Sequence, residues 1–207
     1  MMCLGDAQLH KTTFNDRTME RLKNYIKSQI LIDETDLASI LSNFKELKIP
    51  KGRFVLKKGQ VATNYFFVKS GGLRVYFDHN ERQVTGWIAL ENDFFTDLSS
   101  LKTQTPSHFY IQAMEDTVLL TIKSDKMNEL YKQFPLWQQF GRQIWETTFL
   151  RLLQCIIGFQ TMTAEERYMT AMEDSDLLKR VPLKYLASYL GITPTSLSRL
   201  RKLKIKN

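Results

Sequence analysis

Only two cysteines, Cys3 and Cys155, and three histidines, His10, His79 and His108, occur in the 207 residues. Two thiols are too few for a disulfide framework, a cysteine-rich zinc site or a four-cysteine iron–sulfur cluster, so reduced thiols and no metal are expected. The histidines fall in the N-terminal stretch, a turn and a loop with no paired signature, which leaves haem without a recognisable axial ligand. No apolar run approaches the ~18–20 residues that a membrane span needs, and the opening MMCLGDAQLHKTTFNDRT lacks the apolar stretch of a secretory signal. A cytoplasmic chain with no membrane partner is the expectation. Also missing are H-E-x-x-H, G-x-S-x-G, a Walker loop and G-x-G-x-x-G, so an enzyme reading has nothing to build on and no cofactor is expected.

What is present is an ordinary globular composition, 43% hydrophobic, 12% aromatic and 25% charged, enough to bury a core. The net charge of +7 is unevenly placed. From Leu177 to Asn207 there are eight basic residues (Lys179, Arg180, Lys184, Arg199, Arg201, Lys202, Lys204, Lys206) and no acidic one, while the preceding chain is close to neutral. That asymmetry predicts a neutral body carrying a basic C-terminal module.

The first 18 residues are polar and without pattern, either a flexible tail or an extension ahead of a start at Met19. A helical rhythm runs from Met19 to about Leu47. Five of the nine glycines (Gly52, Gly59, Gly71, Gly72, Gly86) then fall close together and punctuate short apolar runs. Leu73, Val75 and Phe77 alternate with Arg74 and Tyr76 between the Ser70-Gly71-Gly72 turn and the turn at Asp78–Glu81, and strand-like pieces follow at Gly86–Leu90, Phe109–Met114 and Val118–Ile122. Strands so spaced predict an antiparallel sandwich or roll.

From Pro135 the rhythm is helical. Trp145, Phe149, Leu152, Ile156 and Phe159 follow one another at spacings of 4, 3, 4 and 3 and share one face, an a/d seam. Leu153 and Ile157 flank it on one side and Trp137, Ile144 and Cys155 on the other, an arc about twice the ~100° stripe of a surface helix. Such a helix either packs on its own β domain and on a twin across a dimer axis, the preferred reading, or lies buried within one domain. Thr163 with Glu166 three residues on is a capping box that starts a new helix and marks a boundary.

In the tail PLKYLASYLGITPTSLSRLRKL, Pro182 is placed as the first helical residue, with Leu183, Leu186, Ala187 and Leu190 as an inward stripe ended by Gly191. Thr193-Pro194 restarts helix as cap and first residue, with Leu197, Leu200 and Leu203 inward. Two short helices joined by a glycine turn make a helix-turn-helix. Thr195, Ser196, Arg199 and Lys202 share its solvent face, and with Thr193, Ser198 and Arg201 they form the candidate DNA-contact set. Arg199 carries the planar donor fork that fits guanine O6 and N7, while Lys202, Lys204 and Lys206 are assigned mainly to phosphate. The competing reading is a basic, solvated helix pair that packs on something else.

A β-rich N-terminal domain, a long amphipathic helix and a C-terminal helix-turn-helix, in that order, resemble the Crp/Fnr family of bacterial transcription regulators, most specifically in KGRFVLKKGQ, FFVKSGGLRVYF and Pro182–Leu203. The resemblance implies an α+β chain: a cyclic-nucleotide-binding-like antiparallel β-roll of the jelly-roll type at 19–134, a dimerisation helix at 135–160 and a DNA-binding domain at 161–207. It implies a homodimer, double-stranded DNA as partner and RNA polymerase as a further candidate partner. Arg199 matches the family's base-reading arginine. The family's phosphate-binding segment, Gly-Glu-Leu with an Arg nine residues on, falls without gaps on Thr96, Asp97 and Leu98, with Ser107 in place of the arginine. The effector pocket is therefore placed at Thr96, Asp97, Leu98, Ser107 and His108, and cyclic AMP is not expected to bind, because no guanidinium answers its phosphate. Lys102 and His108 are the remaining cations nearby, and a solvated loop lysine is the preferred reading. The alternative function is a ligand-binding module acting on a protein partner.

Overall fold

Asp33 caps one of the first helices: its carboxylate accepts from the amides of Thr35 and Asp36, both at 2.9 Å. This splits the N-terminal segment in two in the computed structural model, which describes residues 6–173 and 175–204, with side chains at 18–171, 177 and 179–202. The helices are α1 (Asp6–Gln29) and α2 (Glu34–Leu41). Helix α1 therefore begins well ahead of Met19, and the helical stretch expected to reach Leu47 ends at Leu41, because Leu47 lies in a strand. Met1–Gly5, including Cys3, and the side chain of His10 lie outside the described residues.

The strands are β1 (Lys45–Ile49), β2 (Phe54–Leu56), β3 (Asn64–Ser70), β4 (Leu73–His79), β5 (Arg82–Ala89), β6 (Phe94–Phe95), β7 (Tyr110–Ala113) and β8 (Thr117–Lys123), with α3 (Leu98–Thr103) between β6 and β7. They form two antiparallel sheets, ordered β1-β8-β3-β6 and β2-β7-β4-β5, the expected roll. The expected strand pieces correspond to β4, β5, β7 and β8. Strands β2 and β6 and helix α3 are too short to leave a period in the sequence.

The β4–β5 hairpin turns through Asn80 and Glu81, with φ of 46° and 61°, the left-handed pair of a two-residue turn that matches strand twist. Gly71 has φ +94°, and a Cβ there would sit 2.5 Å from Thr117 Oγ1, so both the turn and the closeness of β8 require glycine.

After the roll come α4 (Ser124–Gln133), α5 (Pro135–Thr161), α6 (Ala164–Glu173), α7 (Ser175–Arg180), α8 (Leu183–Tyr189) and α9 (Pro194–Lys204). Helical structure thus starts at Ser124, before Pro135; α4 buries only Met127 and Leu130, too few for a legible stripe. The main core gathers Leu22 and Ile26 of α1, Leu37 and Ile40 of α2, Phe67, Leu119 and Leu120 of the sheet, and Trp137, Phe140 and Ile144 of α5. Trp137 stacks on Phe140 at 4.9 Å, and its indole N–H reaches Met127 Sδ at 3.3 Å. Burying a side chain of this size contributes on the order of 3 kcal/mol before the entropy of ordering it.

Candidate nucleic-acid interface and effector cleft

The capping box is formed at the start of α6. Thr163 N–H donates to Glu166 Oε2 at 2.7 Å and Glu166 N–H to Thr163 Oγ1 at 3.3 Å. Beyond it a second core joins Tyr168, Val181, Leu186, Ala187, Leu190 and Leu197. Pro182 has φ −53° and ψ 136°, so it caps α8 from outside rather than occupying its first turn, where the sequence placed it. Gly191 has φ +70°, and a Cβ there would come 2.9 Å from the Phe159 ring, so the turn between α8 and α9 is tight against the end of α5. Thr193 caps α9: its Oγ1 accepts from Ser196 N–H at 3.1 Å and lies 2.9 Å from Ser196 Oγ.

With Leu197 buried, the opposite face of α9 carries Thr195, Ser196, Arg199 and Lys202, all exposed, and Thr193 stands exposed at its entrance. Ser198 and Arg201 are half-buried on its flanks. The side chains of Leu203 and Lys204, and Lys206 altogether, lie outside the described residues. The face offers hydroxyl donors and acceptors at a helix N-terminus followed by guanidinium and ammonium groups, chemistry that suits phosphate and base edges.

Of the seam, Phe149, Leu152, Ile156 and Phe159 are exposed, together with Leu150, Leu153 and Ile157. Trp145 is drawn towards its own roll, its ring 6.2 Å from that of Tyr65. Phe159 also lies beneath the Arg167 guanidinium at 4.9 Å. An exposed apolar strip this long is uncommon on the surface of a monomeric protein.

A cleft of about 210 Å³ opens between β2, the 60–64 loop and the start of α3. Thr96 and Asp97 line it; Leu98, Ser107 and His108 do not. Thr96 Oγ1 donates to Asn64 O at 2.9 Å, and Asp97, nearly buried, caps α3 by accepting from Ser100 N–H at 3.1 Å. Ser107 is buried with its hydroxyl turned onto Phe109, accepting from N–H at 3.0 Å and donating to O at 3.1 Å. Helix α3 carries Leu98 and Lys102 outward, and His108 is exposed. Sequence reading missed the apolar wall, Val55, Leu56, Phe66 and Ile111, because three separate strands, β2, β3 and β7, contribute it. The only ionisable side chain in the lining is the Asp97 carboxylate.

A further group of residues also escaped the sequence. Arg74 and Tyr76, which alternate with Leu73, Val75 and Phe77 along β4, are buried, and the Arg74 guanidinium lies between the rings of Tyr76 and Tyr185, 3.8 and 3.9 Å from their centroids. Burial lowers the Arg74 pKa and raises that of the Tyr76 phenol.

Residues 46–134 match the family described as the cyclic nucleotide-binding domain. Over 145 residues the chain is 30% identical to the transcriptional activator protein Anr of Pseudomonas aeruginosa, a match covering 67% of this chain and 55% of that protein. The resemblance to the Crp/Fnr family is borne out. The fold is that of a CooA mutant from Carboxydothermus hydrogenoformans, with a TM-score of 0.63, 24% identity and coverage of 81% of this chain and 79% of that one. FixK2 from Bradyrhizobium japonicum is similar to the same degree, with a TM-score of 0.63, 21% identity and coverage of 77% and 83%. Among the described residues, no helix of this Crp/Fnr relative is long and apolar enough to cross a membrane.

Proposed function

We propose that the chain is a homodimeric DNA-binding transcription regulator that reads a two-fold symmetric operator through α8 and α9, with an effector domain whose ligand is not cyclic AMP. The observation that carries this reading is the solvent face of α9, where Thr195, Ser196, Arg199 and Lys202 are exposed while Leu197 anchors the helix from beneath. The domains are a roll over 19–134, the dimerisation helix over 135–160 and the reading head over 161–207. The exposed strip of α5 supports the dimer, the name of the P. aeruginosa relative supports transcriptional activation, and a cytoplasmic site and contact with RNA polymerase belong to the same reading.

Selection of bound duplexes from a random DNA pool tests it. Enrichment of a two-fold symmetric site is the expected result, and the absence of any enriched sequence would overturn the reading. For the effector domain, a cyclic phosphate in this cleft would lose its water and meet the Asp97 carboxylate with no guanidinium to offset it. Titration calorimetry with cyclic AMP or cyclic GMP, up to about millimolar, is expected to show no specific heat; micromolar binding would contradict the claim.

A further inference from the structure

The reading head does not hang free of the roll. Strand β5 is the edge of its sheet, and edges leave backbone groups unpaired. Opposite Val75 stands Trp87 and opposite Tyr76 stands Thr85, so Gly86 is the extra residue of a bulge. One hydroxyl from α8 answers the edge there: Ser188 Oγ accepts from Thr85 N–H at 2.9 Å and donates to Gln83 O at 3.1 Å. Beside it Tyr185, also on α8, covers the Arg74 guanidinium from the side opposite Tyr76. Gln83 Oε1 accepts from Arg74 Nη2 at 2.6 Å, while Arg74 Nε is buried without a partner. Among the described residues Arg74 has no ion-pair partner.

A buried guanidinium answered by two aromatic rings, one amide and the more distant charge of Asp78, without an ion pair, is held less firmly than one paired directly with a carboxylate. When α8 lifts away, Arg74 regains water, and the Ser188 hydroxyl and the edge groups of β5 do the same. These polar contacts therefore fix an orientation and regain water on release, while the apolar packing of the head on Ile88 and Met114 holds the two together. The stack also continues inward: Tyr76 lies on Tyr110 at 4.9 Å and 11°, and Tyr110 is the neighbour of Ile111 in the cleft wall.

We infer that Arg74, Tyr185 and Ser188 form a releasable clasp that positions the reading head on the β4–β5 hairpin and so sets the spacing of the two heads in the dimer. They are positioning residues; none lies on the solvent face of α9. This rests on the DNA-reading function proposed above, and the test separates the two. Hydrogen exchange of the full-length protein without DNA reads the clasp alone: in Arg74→Ala and in Ser188→Ala, the Thr85 amide and α8 are expected to exchange faster while β3 and β8 stay protected. The pair Arg74→Ala and Tyr185→Leu is expected to act as one unit, the double variant exchanging no faster than either single one.

Binding is then measured to the symmetric duplex recovered by selection and to a duplex carrying one half-site. Loosening the clasp is expected to weaken the symmetric site roughly five- to tenfold, because a head docked only part of the time loses apparent affinity by that fraction, and to leave the half-site within about twofold. Unchanged exchange in both single variants, or an equal loss on both duplexes, overturns the inference. If Arg74→Ala fails to fold, Ser188→Ala, which removes only an oxygen at a half-buried position, carries the same two measurements. Wild-type protein that binds neither duplex sinks the DNA-reading proposal, while the exchange experiment still decides whether the clasp exists.

Discussion

The two halves of α5 both carry an apolar face, the second the richer in apolar residues, and lie in opposite surroundings. Trp137 and Phe140, near its start, are each 1% exposed, and Ile144 is 9%. Phe149 and Ile156, further along, are 64% and 55% exposed. The first half meets Phe44, Tyr131 and Phe94 of its own domain, so its apolar face is consumed in folding. The second half still reaches the roll through Arg151, which bonds Asp93 at 2.8 Å and lies over the Trp87 ring at 4.8 Å, but its apolar face remains exposed. One helix thus carries two apolar faces, and where the roll ends decides which of them is consumed in folding.

The comparison predicts that lesions in the two halves break different things. Trp137→Ala is expected to cost about 3–5 kcal/mol of stability, since it leaves a cavity among stacked rings, and thermal unfolding should show it. Phe149→Lys with Ile156→Lys is expected to leave the melting of the dilute chain nearly unchanged and to abolish association, because each charge would be buried unpaired only in the assembled seam, at several kcal/mol (order of magnitude). Sedimentation velocity on the two variants sharpens the contrast, and a destabilised monomer in the second case would erase it.

Smaller effects test what the exposed half carries. Arg199→Ala is expected to weaken binding by about 1–3 kcal/mol per half-site and to relax preference at one base pair, measured on systematically varied duplexes, whereas a uniform loss would reduce Arg199 to a phosphate contact. The smallest effect concerns how the head is held. Arg180 of α7 binds both carboxylate oxygens of Glu91, at 2.6 and 2.9 Å, and also Glu115. Burial pushes the Glu91 carboxyl up, but the hydrogen bonds from Arg180 and from Gly71 N–H outweigh it and bring it below its ordinary 4.5. A lowered carboxylate pKa contributes stability above the unfolded value, and that contribution is lost as pH falls through the folded one. Docking of α7 is therefore expected to be constant near neutrality and to loosen as pH falls below the ordinary carboxyl value of 4.5, whereas Glu91→Gln, with no charge to lose, exchanges faster already at neutral pH and depends less on pH; exchange in α7 measured against pH checks this.

Much of this was legible in the residues. The alternation Leu73, Val75, Phe77 announces β4, and Gly191 with Thr193-Pro194 announces the turn and cap of the reading head, because each of these signals is local. The clasp was not legible. Alternation only sets Arg74 and Tyr76 on the face opposite Leu73, Val75 and Phe77, and it is the fold that brings Tyr185 across to cover Arg74. Of the residues expected in the effector pocket, Thr96 and Asp97 line the cleft, whereas α3 turns Leu98 outward and Ser107 bonds its own loop, an effect of local folding that counting positions does not register. Helix α1 began before its expected start because residues 6–18 contain no proline or glycine to stop a helix, which a search for apolar rhythm cannot register.

The claim on which the rest depends is that the exposed half of α5 is covered by a second copy of the same chain. Sedimentation equilibrium of the unmodified protein, without DNA or ligand, at about tens of micromolar, measures it directly. The account predicts twice the chain mass of 24.3 kDa, falling to the single mass in the Phe149→Lys, Ile156→Lys variant. A single mass for the unmodified protein at that concentration would contradict it.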